Sequence, residues 1–142
     1  MLMGEYQNNL DLKGRIVIPL KLREGLGEKI VLTRGLDGSL FIFSFDNWLK
    51  LTKDLTNLPF TLEENRNFIR FLLAGATTLE FDKQGRIIIP NYLKEYAKLE
   101  KEVIIIGVLD RVEIWAKENW DNFMNSNFDS LSNISSNLFN SN

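Results

Sequence analysis

The sequence repeats itself. Asn9-Leu10-Asp11-Leu12-Lys13-Gly14-Arg15-Ile16-Val17-Ile18-Pro19 reappears as Glu80-Phe81-Asp82-Lys83-Gln84-Gly85-Arg86-Ile87-Ile88-Ile89-Pro90, an offset of 71 residues in a chain of 142. The shared core is Asp-x-x-Gly-Arg-Ile-[Val/Ile]-Ile-Pro. Further echoes follow in the same order: Gly35-Leu36-Asp37 before Phe41-Ile42-Phe43 matches Val108-Leu109-Asp110 before Glu113-Ile114-Trp115. Asn47-Trp48 then matches Asn119-Trp120 at an offset of 72. Two copies are too few for a solenoid, which needs about three repeats to bury a continuous core. A closed pseudo-twofold pair of modules, each of roughly 50 residues, is expected instead.

The chemistry of the motif predicts its local shape. Asp and Gly are favoured at the two ends of a type I turn, where the carboxylate caps turn amides and glycine accepts a positive φ. The turn is expected to join Tyr6–Leu10 to Arg15–Ile18, and Thr77–Phe81 to Arg86–Ile89, as β-hairpins. Asp11 and Asp82 orient Arg15 and Arg86, four residues on, while Gly14 and Gly85 permit the turn. Pro19 and Pro90 end the strands and open short helices, Leu20–Leu26 and Asn91–Lys98. Strands at Lys29–Thr33, Leu40–Phe43, Glu102–Ile106 and Val112–Ala116 complete two β-β-α-β-β modules. Ser44 and Lys117 then open helices carrying Trp48 and Trp120.

These boundaries divide the chain into a first module (1–51), a linker with an amphipathic helix (52–76), a second module (77–124) and a tail (125–142). In the linker, Thr61 and Glu64 read as a capping box. Leu62, Phe68, Ile69, Leu72 and Leu73 form an apolar face, with Glu63, Arg66 and Arg70 opposite and Gly75 as the stop. The tail is dominated by Asn and Ser, a composition expected to be largely disordered. The spacing of Phe128, Leu131, Ile134 and Leu138 leaves a weakly stable helix as the alternative.

Residue types exclude much chemistry. With no cysteine and no histidine, the chain can form no disulfide, no thiolate or imidazole metal site, and no Ser-His-Asp triad. No cofactor or metal is expected. Paired carboxylates remain for an enzyme, but Glu63 and Glu64 point about 100° apart on a helix. Glu80 and Asp82 share a strand face beside a turn, with no sign of a pocket, so the chain is not read as an enzyme. No apolar run approaches a membrane span and no signal peptide is visible, so a cytoplasmic protein is expected.

Net charge is −2, which does not by itself suggest nucleic acid. The distribution is uneven: residues 5–34 carry +2 and 77–101 carry +1, while 102–142 carry −4. Both mildly basic stretches contain the motif. Lys13 and Lys83 add a second base to each turn, more than one aspartate can neutralise. A protruding turn with excess positive charge suits phosphate.

The doubled Asp-x-x-Gly-Arg-[Ile/Val]-x-[Ile/Leu]-Pro hairpin resembles the AbrB/SpoVT-type swapped-hairpin barrel, and two tandem copies in a chain of this length resemble the MraZ family. Met3-Gly4-Glu5-Tyr6, Ala74-Gly75-Ala76-Thr77-Thr78 and the helices of Trp48 and Trp120 extend the match over almost the whole chain. The family's His-Thr before the first motif is replaced here by Asn8-Asn9. The resemblance implies an α+β, mainly β fold: a pseudo-twofold barrel from two modules with short flanking helices. It also implies a ring-shaped homo-oligomer that binds double-stranded promoter DNA at short direct repeats, regulating the bacterial division and cell-wall gene cluster, usually as a repressor, in the cytoplasm and nucleoid.

On that reading Arg15 and Arg86 contact bases or phosphates and Lys13 and Lys83 contact phosphates. Lys21 and Arg23, early in the first short helix, are secondary candidates. A single subunit would bind weakly, since phosphate neutralisation scales with the number of contacts. Tethering repeated turns in a ring would raise avidity by about 10²–10⁴. The competing reading is an antitoxin-like or assembly protein whose hairpins contact protein.

Overall fold

The computed structural model describes residues 1–140. The order of elements is β1 (Leu2–Asn9), β2 (Arg15–Val17), α1 (Leu20–Leu26), β3 (Lys29–Arg34), β4 (Leu40–Ser44), α2 (Phe45–Thr56) and α3 (Glu63–Ala74). The second half continues with β5 (Thr77–Glu80), β6 (Arg86–Ile88), α4 (Asn91–Ala97), β7 (Glu102–Leu109), β8 (Arg111–Ala116) and α5 (Lys117–Asn140). The class is α+β, and the two β-β-α-β-β modules follow the repeat.

The pairing corrects the expected hairpins. β1 does not form a ladder with β2, nor β5 with β6. Instead β1 pairs with β7, β5 with β3, and β2 with β6, all antiparallel. The arms of each turn therefore cross into the other module. Six strands run β1-β7-β8-β4-β3-β5, and β2·β6 forms a separate ribbon. In the register Ile16 opposes Ile87, and Phe41 opposes Glu113. Each is its own repeat counterpart, at offsets of 71 and 72, as a pseudo-twofold axis through both ladders requires. Pairing runs continuously from β1 to β5, and the ribbon packs over the sheet.

What drives this crossing is burial. Ile16 and Ile18 from the first module and Ile87 and Ile89 from the second are all shielded from solvent in one core. Leu22, Leu93, Ile30, Leu32, Leu40, Ile42, Val103, Ile105 and Ile114 are among the others in it. Each such side chain contributes about 1.5–3 kcal/mol when fully buried, and a three-residue strand could not gather this core alone. Asn8 ties β1 to the ribbon, its Nδ2 donating to the Val17 carbonyl at 2.7 Å.

The two outer faces differ. On the first, Val31, Phe41 and Phe43 are covered by Trp48 and Leu55 of α2 and by Leu72 of α3. On the second, Ile104, Ile106 and Trp115 are covered by Trp120 and Phe123 of α5 alone. Ser44 caps α2 as expected, its hydroxyl accepting from the Asn47 amide at 3.1 Å. The capping box at Thr61 and Glu64 does not form: α3 begins at Glu63 without a side-chain cap. Arg66 donates to the Phe60 and Thr61 carbonyls and so ties the helix to the loop before it. Of the apolar face foreseen for α3 only Leu72 is buried, with Ile69 partly so; Leu62, Phe68 and Leu73 remain exposed.

Of the two readings of the tail, the helical alternative is the one the described residues adopt: α5 continues to Asn140, with Phe128, Leu131, Ile134 and Leu138 exposed along it, and residues 141–142 lie outside the described residues. Its first turns are anchored by Trp120 and Phe123 on the sheet. Extending a helix that is already nucleated avoids the unfavourable nucleation step that an isolated Asn/Ser-rich segment would face. No helix among the described residues is long and apolar enough to cross a membrane.

Candidate nucleic-acid interface

Each Asp-x-x-Gly-Arg turn is closed by its own aspartate. In the first, Asp11 Oδ1 accepts from the Lys13 and Arg15 amides at 2.9 and 2.8 Å, and Oδ2 accepts from Arg15 Nε at 2.7 Å. In the second, Asp82 Oδ1 accepts from the Gln84 and Arg86 amides, both at 2.9 Å, and Oδ2 accepts from Arg86 Nε at 2.8 Å. Hydrogen bonding to the Arg15 amide, and likewise to that of Arg86, holds each carboxyl below the ordinary aspartate value of 3.8. The guanidinium bond lowers it further, and partial desolvation opposes both. Because each aspartate is consumed by amides and a single Nε, the terminal amino groups of Arg15 and Arg86 make no hydrogen bond among the described residues. Their side chains are 29% and 24% exposed, enough to reach a ligand from a fixed base.

The turns are seated by the other module. Ile89 N donates to Gly14 O at 2.8 Å, and Ile18 N donates to Gly85 O at 3.0 Å. Gly14 and Gly85 have φ of +79° and +76°, so a side chain is strained at either position. The space above each glycine is filled by a cation. A Cβ on Gly85 would lie 2.5 Å from Arg23 Cζ, and one on Gly14 would lie 3.1 Å from Lys94 Nζ. Arg23 is fixed there, its Nε donating to the Ile18 carbonyl at 2.8 Å. Each turn is thus a composite: Asp11, Lys13 and Arg15 with Lys94, and Asp82, Lys83 and Arg86 with Arg23.

The arrangement brings together most of the residues named from sequence and adds one. Arg15, Arg86, Lys13, Lys83 and Arg23 lie on or against the turns, with Asp11, Asp82, Gly14 and Gly85 shaping them. Lys21 does not join them. It is two residues from Arg23, about 200° round the helix axis, and among the described residues it makes no hydrogen bond or ion pair with either turn. Lys94 is the addition, and the repeat offset of 71 carries Arg23 onto it. The tips of the turns are unequal, because the motif aligns Leu12 with Lys83 and Lys13 with Gln84. Acidic side chains also lie near: Glu24, Glu28 and Glu80 share an open groove with Arg23, and Glu95 and Glu100 share one with Leu12 and Lys94.

Fold and site together define a two-module protein with crossed arms, presenting two rigid, partly exposed arginine turns related by a pseudo-twofold axis. The family described as "MraZ protein, putative antitoxin-like" matches residues 1–71 and again 72–142. The chain belongs to the MraZ family. It is 53% identical to a protein of Caldanaerobacter subterraneus subsp. tengcongensis named Transcriptional regulator MraZ, over 142 residues that cover 100% of this chain and 99% of that one. Proteins of the same name from Halothermothrix orenii and Acetivibrio thermocellus are 54% and 55% identical. The first match covers 89% of this chain and 88% of the relative, the second 87% and 86%.

Proposed function

We propose that this protein is a DNA-binding transcriptional regulator that grips double-stranded promoter DNA through its two Asp-x-x-Gly-Arg turns. The observation that carries the reading is the pair of preorganised guanidinium groups, each fixed through Nε and open at its terminal amino groups. Arginine's planar donor fork suits bidentate pairing with a guanine edge or a phosphate. The neighbouring Lys13, Lys83, Lys94 and Arg23 supply contacts to the backbone. Relatives named as transcriptional regulators support the reading.

The finer reading is a cytoplasmic, nucleoid-associated ring of subunits on short direct repeats upstream of the division and cell-wall gene cluster, acting as a repressor. Repetition compensates for the acidic chain: a few cations per subunit bind weakly, while many tethered turns bind together. Footprinting on the DNA upstream of the protein's own gene tests the target. Mobility shift tests the residues, Arg15→Ala and Arg86→Ala each costing about 1–3 kcal/mol where a base contact is lost. Unchanged affinity and salt slope in the double variant would overturn the assignment. The antitoxin-like reading is favoured by the family description alone. Light scattering with and without promoter DNA separates the two, since a monomer indifferent to DNA fits only the latter.

A further inference from the structure

We infer that Leu12, at the tip of the first turn, packs against the C5-methyl group of a thymine in the major groove, making the first turn a reader of base identity. The inference rests on the proposal that the turns are the DNA contact. Leu12 is 106% exposed, on the rim of the open groove it shares with Lys94, Glu95 and Glu100. Its backbone is nevertheless held in place. Its neighbours on both sides are locked, Asp11 by the Arg15 bonds and Lys13 through its amide on Asp11 Oδ1. A fully exposed leucine at the tip of a rigid turn serves no packing purpose within the subunit, and the second module carries Lys83 at the same place.

The surroundings narrow what Leu12 can meet. It stands three residues from Arg15, on a turn that also carries Lys13, so any surface that Arg15 reaches is anionic or rich in acceptors. A phosphate gives an isobutyl group nothing. The major groove, wide enough for a two-stranded ribbon, presents both guanine acceptors for arginine and a single strongly apolar feature, the thymine methyl. Leu12 and Arg15 together therefore suit a thymine close to a guanine. Lys83, with no apolar atom at its tip, suits a phosphate at the equivalent place on the second turn.

The test uses the full-length protein on the duplex upstream of its own gene, with thymines replaced one at a time by deoxyuridine, which lacks only the methyl group. The wild-type protein is expected to lose roughly threefold to tenfold in affinity at one or more positions, the size of one buried methyl group. Leu12→Ala is expected to lose a similar factor on the natural duplex and to ignore deoxyuridine at those positions. Leu12→Lys, which copies the second turn, is expected to ignore it too, while steepening the log–log salt dependence by about 0.9 per new phosphate contact. A deoxyuridine penalty that persists in Leu12→Ala overturns the inference, as does wild-type indifference to every thymine methyl. So does a Leu12→Ala variant that binds DNA normally but changes oligomeric mass by light scattering, which assigns the residue to a protein contact. Arg15→Ala separates the two levels: if it weakens binding while Leu12→Ala does not, the turns remain the DNA contact and only the thymine reading fails.

Discussion

The two modules agree most closely where the backbone has a task and diverge where only a side chain does. Their turns superpose in chemistry down to the individual bond: each aspartate accepts two amides and one Nε, with lengths matching within 0.1 Å. Around that constant frame, Leu12 faces Lys83 across the repeat, Lys94 replaces Arg23, and Lys98 stands where the first module has Gly27. The outer faces diverge further, with two helices on one and a single helix on the other. A duplicated chain retains what closes a turn because any loss there leaves amides unsatisfied. Exposed positions carry no such cost, so they are free to specialise.

The largest test of this contrast concerns the outer faces. Trp48 of α2 is buried in one cluster with Phe43 and with Leu72 of α3, whereas its counterpart Trp120 is only partly covered. Trp48→Ala is expected to cost about 3–5 kcal/mol in chemical denaturation, and Trp120→Ala distinctly less. Equal losses would mean that the second face is covered in solution by something beyond this chain.

Next in size are the turn glycines. A methyl group at Gly85 strikes the Arg23 guanidinium, which is itself tied to Ile18, while one at Gly14 meets the mobile end of Lys94. Both carry the cost of a left-handed residue, about 1–2 kcal/mol. Gly85→Ala is therefore expected to lower stability, and affinity for DNA, more than Gly14→Ala. A reversed order would deny that Arg23 is seated on the second turn.

A smaller effect follows α1 and α4. Gly27 and Lys98 both end their helices with positive φ, 81° and 55°. Lys98→Gly is expected to stabilise the protein by about 1 kcal/mol, seen as a raised midpoint of unfolding. No gain would show that Lys98 compensates through contacts of its own.

The smallest effect is on pH. Both turn aspartates sit below 3.8, so their contribution is complete above that value and is lost as the pH falls through the depressed folded values. Carboxyl carbon titration by NMR is expected to place both midpoints below 3.8, close to each other. A normal midpoint for one alone would show that its turn is open in solution.

Much of this was legible from residue order. The offset located both turns, the strands and the first helices, and Leu20–Leu26 falls where Pro19 and the apolar spacing place it. The Asp11–Arg15 and Asp82–Arg86 pairs follow from their separation. Lys94 could have been found by carrying Arg23 across the repeat, though nothing local to α4 marks it. The missed capping box has a simple cause: Thr61 lies a residue too early, and the N-cap position falls on Leu62, which has no side-chain acceptor. In the tail, composition speaks to independent stability and the apolar spacing to a helix, and the helix there extends one anchored by Trp120 and Phe123.

Sequence alone determined that the chain is a duplicated unit with two turns of one pattern, because Asp, Gly and Arg at fixed spacing satisfy one another over a span of five residues. Only the tertiary structure decided which strands those turns connect. A strand as short as β2 or β6 cannot choose its partner from local preference. The choice falls to the shared core, which can bury Ile16, Ile18, Ile87 and Ile89 together only if the arms cross. The same crossing sets Arg23 and Lys94 on turns distant in the chain, and so gives each turn arginine a second cation beside it.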